Sequence, residues 1–234
     1  MQIACNPEYI TAIFVKELKN RFLCEVEIDG ERVICYVPSS CHLSNFLKLE
    51  GKKVLLVPNS TKNTRTQYAL FAVPYKRNYI MLNTSIANRA VENSIHSRRF
   101  SNLGKREIVI KEHYVSGYKS DLFIEDTNTI VEIKSVLSID ERAEFPTVFS
   151  ERSLKQLGQL KTLLNDGYRV YYMIVSLNPY VKTIDISKET PFFLELEDCI
   201  KRGLCLSAYS CKFDGEKVLV NKKLQIGMED STNE

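Results

Sequence analysis

Residues 120–136 read SDLFIEDTNTIVEIKSV, two runs of strand-forming residues separated by the polar segment EDTN. Aromatic and β-branched residues favour strands and Asp and Asn favour turns, so the stretch predicts a β-hairpin. Side chains alternate between the two faces of a strand, which places Glu132 and Lys134 on the same face. The hairpin also brings Asp121, near the start of its first strand, into their neighbourhood.

These three side chains have the chemistry of a metal-dependent phosphodiesterase site. Two carboxylates on adjacent strands, Asp121 and Glu132, can bind a hard divalent cation such as Mg²⁺ or Mn²⁺ through oxygen. Such a cation activates a bound water, and the ammonium group of Lys134 can orient that water or stabilise charge on a phosphoryl group. The alternative is an exposed Glu–Lys pair, which contributes little to stability. The apolar flanks favour the active site, because charges set in a buried strand need a partner or a purpose.

The first 82 residues read as short strands with no helix between them. RFLCEVEI and ERVICYV flank Asp29-Gly30, a strong hairpin signal, and KKVLLVP and YALFAVP follow. This spacing predicts a small antiparallel barrel or sandwich. A five-stranded barrel of this size commonly binds oligonucleotides, although a fold alone does not establish a function.

Helix and strand patterns alternate from residue 83 onward. Thr84 or Ser85 can cap a helix through IANRAVENSIHSRR, a second helix is predicted near 153–166, and a third follows Pro191. The run RVYYMIVSL is apolar almost throughout, which is typical of a strand buried on both faces of a mixed or parallel sheet. This order of elements predicts an α/β domain.

The chain as a whole is therefore predicted to be α+β. The predicted divisions are a β-barrel at 1–82, an α/β domain with a mixed sheet flanked by helices at 83–226, and a frayed tail at 227–234.

The net charge of +3 is unevenly distributed. Residues 1–119 carry 18 Lys and Arg against 10 Asp and Glu, whereas residues 120–234 carry 14 against 19. A basic half beside an acidic half suits a polyanion-binding surface next to a site that needs carboxylates. Charge spread over a solvated surface is the alternative.

Several protein classes are disfavoured by composition. No apolar run approaches the roughly 18 residues of a membrane span, and MQIACNPEYI lacks the pattern of a signal peptide. Seven cysteines without a C-x-x-C motif and three histidines argue against a zinc site and a disulfide framework. The expectation is a cytoplasmic protein with no membrane association.

Longer motifs point to a known family. The Asp…Glu-x-Lys arrangement resembles the PD-(D/E)xK nuclease superfamily. NRFLCEVEIDGERVICYVP, MLNTSIANRAVENSI, SDLFIEDTNTIVEIKSVLSI and AEFPTVFSERSLKQLGQL are similar, in order, to segments of the sugar fermentation stimulation protein family. The resemblance covers most of the chain, although VPSSCHL departs from the family's Cys-Pro-Asn-Thr-Gly-Ser-Met stretch.

The resemblance implies an OB-like N-terminal domain, a restriction-endonuclease-like second domain and DNA binding. It matches Asp121, Glu132 and Lys134 to the family's catalytic pattern, and Glu92 to the helix Glu that completes the metal site in many such nucleases. Gln156 stands where the family usually has His.

Basic residues define the expected nucleic-acid surface, because Lys and Arg bind phosphates without reading sequence. The candidate residues are Arg21, Lys62, Arg65, Arg89, Lys119, Arg152 and Lys155.

Two functions follow from these observations. The first is a metal-dependent DNA nuclease with little sequence specificity, and the alternative is a non-catalytic DNA-binding regulatory protein. The intact set of carboxylates favours the nuclease. Whether the DNA is single- or double-stranded, and whether the protein forms a homodimer, are left open.

Overall fold

The structure of the protein is a computed structural model, and it describes residues 9–38, 42–45, 47–59, 65–148 and 150–228. The chain forms two different architectures, one after the other in sequence. A β-barrel comes first, and a mixed sheet with helices on both faces comes second.

The described residues of the first half form six strands. They are β1 (Ile10–Glu17), β2 (Leu23–Ile28), β3 (Glu31–Tyr36), β4 (Lys53–Pro58), β5 (Tyr68–Tyr75) and β6 (Asn78–Met81). Their order is β3-β2-β1-β4-β5-β6, and a pairing of β3 with β5 closes the first five strands into a barrel. This closed, OB-like barrel confirms the barrel and excludes the sandwich. The sequence patterns missed β1 and β6.

The turn between β2 and β3 shows why the hairpin signal was reliable. Asp29 and Gly30 have φ angles of 51° and 86°. A two-residue turn with positive φ at both positions matches the twist of the strands it joins, and Asp-Gly tolerates it.

Eleven strands follow in the part of the second half that the structure describes. They are β7 (Val109–Lys111), β8 (Tyr114–Val115), β9 (Tyr118–Lys119), β10 (Leu122–Ile124), β11 (Thr129–Val136), β12 (Arg142–Glu144), β13 (Arg169–Ser176), β14 (Thr183–Asp185), β15 (Cys205–Phe213), β16 (Val218–Lys223) and β17 (Gln225–Gly227). The main sheet has the order β16-β15-β13-β11-β10-β7. Its centre is parallel and its margins are antiparallel, so the predicted mixed sheet is confirmed.

Two smaller sheets complete the second half. Strands β12, β14 and β17 form one, and β8 and β9 form the other. Strand β17 ends at Gly227, one residue beyond the predicted bound of 226, and residues 229–234 lie outside the described part of the chain.

Within the described ranges, three α-helices cover the main sheet. They are α1 (Ile86–Ser94), α2 (Glu151–Asn165) and α3 (Pro191–Lys201). Helix α1 is shorter than its sequence pattern, because the chain turns into a 3-10 segment at Arg98–Leu103. Helix α1 packs on one face of the sheet, and α2 and α3 pack on the other. None of the described helices is long and apolar enough to cross a membrane.

The side chains of β11 alternate between the two faces of the main sheet, and this decides which of them face α1 and which face α2 and α3. Val131 and Ile133 pack in the cluster that contains α1, whereas Ile130 packs in the cluster that contains α2 and α3. Glu132 and Lys134 therefore share the α2 side of the sheet, as the period of two predicts.

The barrel and the mixed sheet share a hydrophobic cluster. Phe71 of the barrel strand β5 and Met81 of the adjoining strand β6 belong to the cluster that α1 forms with the main sheet. The ring of Phe71 lies 5.1 Å from that of Phe213, and Tyr9 contacts both rings. The Met81 N–H also donates to the carbonyl of Leu177 at 3.1 Å. The proposed division after residue 82 thus separates two architectures that pack on common residues.

Phe71→Ala should lower the free energy of unfolding by about 3–5 kcal/mol, because it opens a cavity in this shared cluster. Both halves should still unfold in one transition. The measurement is denaturant unfolding followed by circular dichroism and tyrosine fluorescence. The exposed Ile34, also in the barrel, is the control, since Ile34→Ala should shift stability by less than about 0.5 kcal/mol. Two separate transitions would contradict a shared core.

Candidate active site

A cleft with a volume of about 660 Å³ opens between α2, the start of α1 and the ends of β10 and β11. Its lining includes Asp121, Glu132, Lys134, Arg152 and Gln156. We call it the carboxylate cleft. The three residues of the Asp…Glu-x-Lys pattern all line it.

The main chain of β11 holds Asp121 in place. The pairing of β10 with β11 ends at Leu122 and Val131, and Asp121 immediately precedes β10. The N–H of Ile133 donates to Asp121 Oδ2 at 2.8 Å, and Asn88 Nδ2 on α1 donates to Oδ1 at 2.9 Å. Each oxygen of this half-buried carboxylate therefore has one hydrogen-bond donor.

Glu132 is almost fully buried, with 2% of its surface exposed, and it has three side-chain partners. Lys134 Nζ lies 2.6 Å from its Oε1, and Gln156 Nε2 donates to the same oxygen at 2.5 Å. The Tyr118 hydroxyl donates to Oε2 at 2.5 Å. Gln156 also connects Lys134 to Tyr118, because its Oε1 accepts from Lys134 Nζ at 2.6 Å and its Nε2 donates to the Tyr118 oxygen at 3.0 Å. We call these four residues the Glu132 network.

Burial raises the pKa of Glu132 above its usual value. The ammonium group of Lys134 opposes that rise, and the negative charge of Asp121 adds to it. Burial, followed by the charge of Glu132, also raises the pKa of Tyr118 well above its usual range, so its hydroxyl stays protonated and donates. The negative charge of Asp121 thus lies close enough to Glu132 to disfavour the ionised form of Glu132.

The donor set of the cleft fits a hard divalent cation. Asp121 and Glu132 offer carboxylate oxygens, the preferred ligands of Mg²⁺, Mn²⁺ and Ca²⁺. Within the described ranges, however, no group of three or more His, Cys, Asp or Glu side chains is arranged to hold a metal. A cation at this site would need water or phosphate oxygens as its other ligands.

Glu92 does not line the carboxylate cleft. Its carboxylate is partly exposed and pairs with Lys111 of β7 at 2.7 Å. One helical turn earlier, Asn88 takes the position of α1 that contacts Asp121. Asn88 and Glu92 lie on the same face of α1, so the position of the helix along its axis relative to the sheet decides which of the two side chains contacts Asp121. The motif does not specify that position.

The structure distributes the predicted basic residues over several places. Arg152 and Lys119 line the carboxylate cleft, and Lys119 pairs with the exposed Glu112 at 2.9 Å. Four others are exposed and lie outside the cleft lining: Arg21, Arg65, Arg89 and Lys155. The Arg21 guanidinium lies 4.9 Å from the centre of the Phe22 ring. Lys62 lies outside the described residues.

Sequence reasoning missed two residues of the site, Asn88 and Tyr118, and it missed the role of a third, Gln156. A signal for Gln156 was its departure from the His that the resembling family usually has at this position. A signal for Asn88 was its place one turn before Glu92, on the same helix face. Tyr118 gave no signal, because it belongs to the short β8–β9 hairpin.

Two family models together cover most of the chain. The model described as the sugar fermentation stimulation protein RE domain matches residues 85–217. The model described as the SfsA N-terminal OB domain matches residues 18–82.

Individual relatives agree with these matches. A sugar fermentation stimulation protein homolog of Methanobrevibacter smithii is 30% identical over 233 residues, with 93% of this chain and 97% of the relative covered. A homolog of Desulforamulus reducens is 27% identical, with 94% of this chain and 93% of the relative covered. The solved structure of Pyrococcus furiosus SfsA in complex with Ca²⁺ superposes with a TM-score of 0.78 at 19% identity, over 97% of both chains. At that identity the superposition supports the fold alone.

Proposed function

The chain belongs to the sugar fermentation stimulation protein family, and from this premise we propose that it is a DNA-binding, metal-dependent phosphodiesterase with little sequence specificity. The observation that carries the proposal is the convergence of Asp121, Glu132 and Lys134 on one cleft. A protein that only binds DNA gains nothing from two carboxylates beside a phosphate, because like charges repel.

Asp121 and Glu132 are the proposed metal ligands, and Mg²⁺ or Mn²⁺ is the proposed metal. The Ca²⁺ bound by Pyrococcus furiosus SfsA supports a divalent cation here. When bound, the cation would supply Lewis-acid stabilisation of the phosphate and an acidified water. Glu92 is the proposed third ligand, and it would have to leave Lys111 to join the site.

Lys134 is the proposed catalytic cation. Its ammonium group is fixed by two acceptors, Glu132 Oε1 and Gln156 Oε1, both at 2.6 Å. A fixed positive charge stabilises negative charge that develops in the transition state without reorganising during the reaction. The side chain keeps part of its surface exposed to the cleft.

DNA would approach the cleft over the positive charges at its rim. Arg152, at the first turn of α2, is exposed and lines the cleft. Together with Lys119 it can contact phosphates on either side of the bond to be cleaved. Arg21, Arg65, Arg89, Lys155 and Lys62 are proposed as additional DNA contacts. The cytoplasm is the proposed location.

A non-catalytic DNA-binding regulatory protein is the second candidate. One observation favours it, because the Glu132 network satisfies a buried carboxylate without any metal. The test incubates the full chain with single-stranded, double-stranded and branched DNA, with Mg²⁺, Mn²⁺ or a chelator. Metal-dependent cleavage supports the nuclease, and binding without cleavage under every condition supports the regulator.

DNA affinity should fall steeply between about 50 and 200 mM salt if several phosphates are contacted. Arg152→Ala should weaken binding to all sequences alike and lower the slope of log K against log salt by about one. Fluorescence anisotropy of labelled DNA measures both effects. Lys201→Ala, which breaks an exposed pair with Glu197 on α3, is the control. A salt-independent affinity would contradict the phosphate contacts.

A further inference from the structure

The hydrogen bonds that Glu132 makes with described residues leave it a single free acceptor position. An ionised carboxylate has about four lone-pair positions, two on each oxygen. Lys134 and Gln156 occupy both positions of Oε1, and Tyr118 occupies one position of Oε2. The remaining position lies on Oε2. Asp121 differs, since each of its oxygens has one donor and one position free.

Gln156 has a fixed orientation in this arrangement. The ammonium group of Lys134 can only donate, so the amide oxygen of Gln156 must face it. The amide nitrogen then faces Glu132 Oε1 and the Tyr118 oxygen. Only a side chain that both donates and accepts hydrogen bonds can bridge Lys134 and Glu132 in this way.

We propose that Gln156 is a positioning residue that sets the metal preference of the site by making Glu132 a one-oxygen ligand. The inference rests on the proposed function, in which Glu132 binds a divalent cation. With Oε1 occupied, the carboxylate can offer a cation Oε2 alone. The hydrogen bond from the Tyr118 hydroxyl fixes the orientation of Oε2.

One-oxygen ligation distinguishes between divalent cations. Mg²⁺ binds six ligands in octahedral geometry, keeps several waters and takes one or two carboxylates. Ca²⁺ accepts about six to eight oxygens and gains from carboxylates that bind through both oxygens. The Glu132 network therefore favours Mg²⁺ relative to Ca²⁺, and release of Oε1 should shift the preference toward Ca²⁺.

The test compares Mg²⁺ and Ca²⁺ titrations by calorimetry in wild-type protein and Gln156→Leu. Leu removes the donor to Oε1 and frees one of its positions. The ratio of Ca²⁺ to Mg²⁺ affinity should rise about tenfold, the usual scale for a residue that orients a metal ligand. Gln159→Leu changes the same residue type at an exposed position of α2 and should leave the ratio at the wild-type value.

Gln156→His provides a second variant in case the leucine protein folds poorly. A neutral imidazole has one acceptor and one donor, so it can face Lys134 and Glu132 at once and should restore the wild-type ratio. Loss of affinity for both ions with an unchanged ratio in Gln156→Leu would overturn the inference, because a residue that only supports the fold predicts that result. Failure of wild-type protein to bind either ion would instead overturn the proposed function.

Discussion

Asp121→Asn should abolish metal-dependent DNA cleavage while DNA binding persists or tightens. The substitution keeps the shape of the side chain and removes one of two carboxylates in the cleft. We expect the cleavage rate to fall about a thousandfold, which corresponds to about 4 kcal/mol of lost transition-state stabilisation. DNA binding persists because the substitution leaves the proposed phosphate contacts Arg152 and Lys119 unchanged, and it can tighten because a repelling charge is removed. Single-turnover cleavage of labelled DNA and anisotropy measure the two effects.

The matched control for this experiment is Asp140→Asn. Asp140 is an exposed carboxylate in the loop after β11 and does not line the carboxylate cleft. Cleavage by this variant should equal that of wild type. An Asp121→Asn protein that cleaves at the wild-type rate with the metal present would exclude Asp121 as a ligand.

Lys134→Ala should retain metal binding and lose the chemical step. The ammonium group pairs with Glu132 and faces the cleft, so its removal takes away a charge that stabilises the transition state. We expect the single-turnover rate to fall by about 10²–10³, the usual effect of losing one such group. Metal affinity should stay the same or rise, because a positive charge beside the cation is removed.

Folding must be separated from catalysis in this variant, because Lys134→Ala removes one partner of a buried carboxylate. Lys134→Gln keeps a hydrogen-bond donor without the charge, so it should remain folded and be equally slow. Lys201→Ala breaks an exposed Lys–Glu pair of 2.8 Å on α3 and should keep the full rate. Loss of metal binding in folded Lys134→Gln would show that Lys134 supports the metal site rather than the reaction.

The convergence of Asp121, Glu132 and Lys134 could be predicted because it depends on local rules. A turn signal sets the hairpin, and alternation along β11 places Glu132 and Lys134 on one face. Both rules act within a single strand or hairpin, where the sequence pattern indicates the geometry directly. The structure places all three side chains as this reasoning expects.

The surroundings of the three residues could not be predicted, because they depend on how separate helices and strands pack against one another. Glu92 pairs with Lys111, 19 positions later, and this contact follows from how α1 lies on the sheet. Tyr118 reaches Glu132 from a two-strand hairpin whose turn has positive φ at Ser116 and Gly117. Nothing in the composition of that segment indicates where its tyrosine points.

The fold shows the same division between local and distant information. The sequence predicts a small β-barrel, and the structure has one. The sequence does not predict β1 and β6, because neither strand has a clear turn signal beside it. The hydrophobic cluster that joins Phe71 to Phe213 pairs residues more than half the chain apart. Periodicity along either segment shows that its residues are buried, but it does not show against which partner they pack.

A calorimetric titration of Mn²⁺ into wild-type and Asp121→Asn protein, each with DNA present, tests the central claim most directly. The proposed site predicts saturable binding of Mn²⁺ to the wild type and none to Asp121→Asn. Equal binding to both proteins, or no binding to either, would contradict a metal site at Asp121 and Glu132.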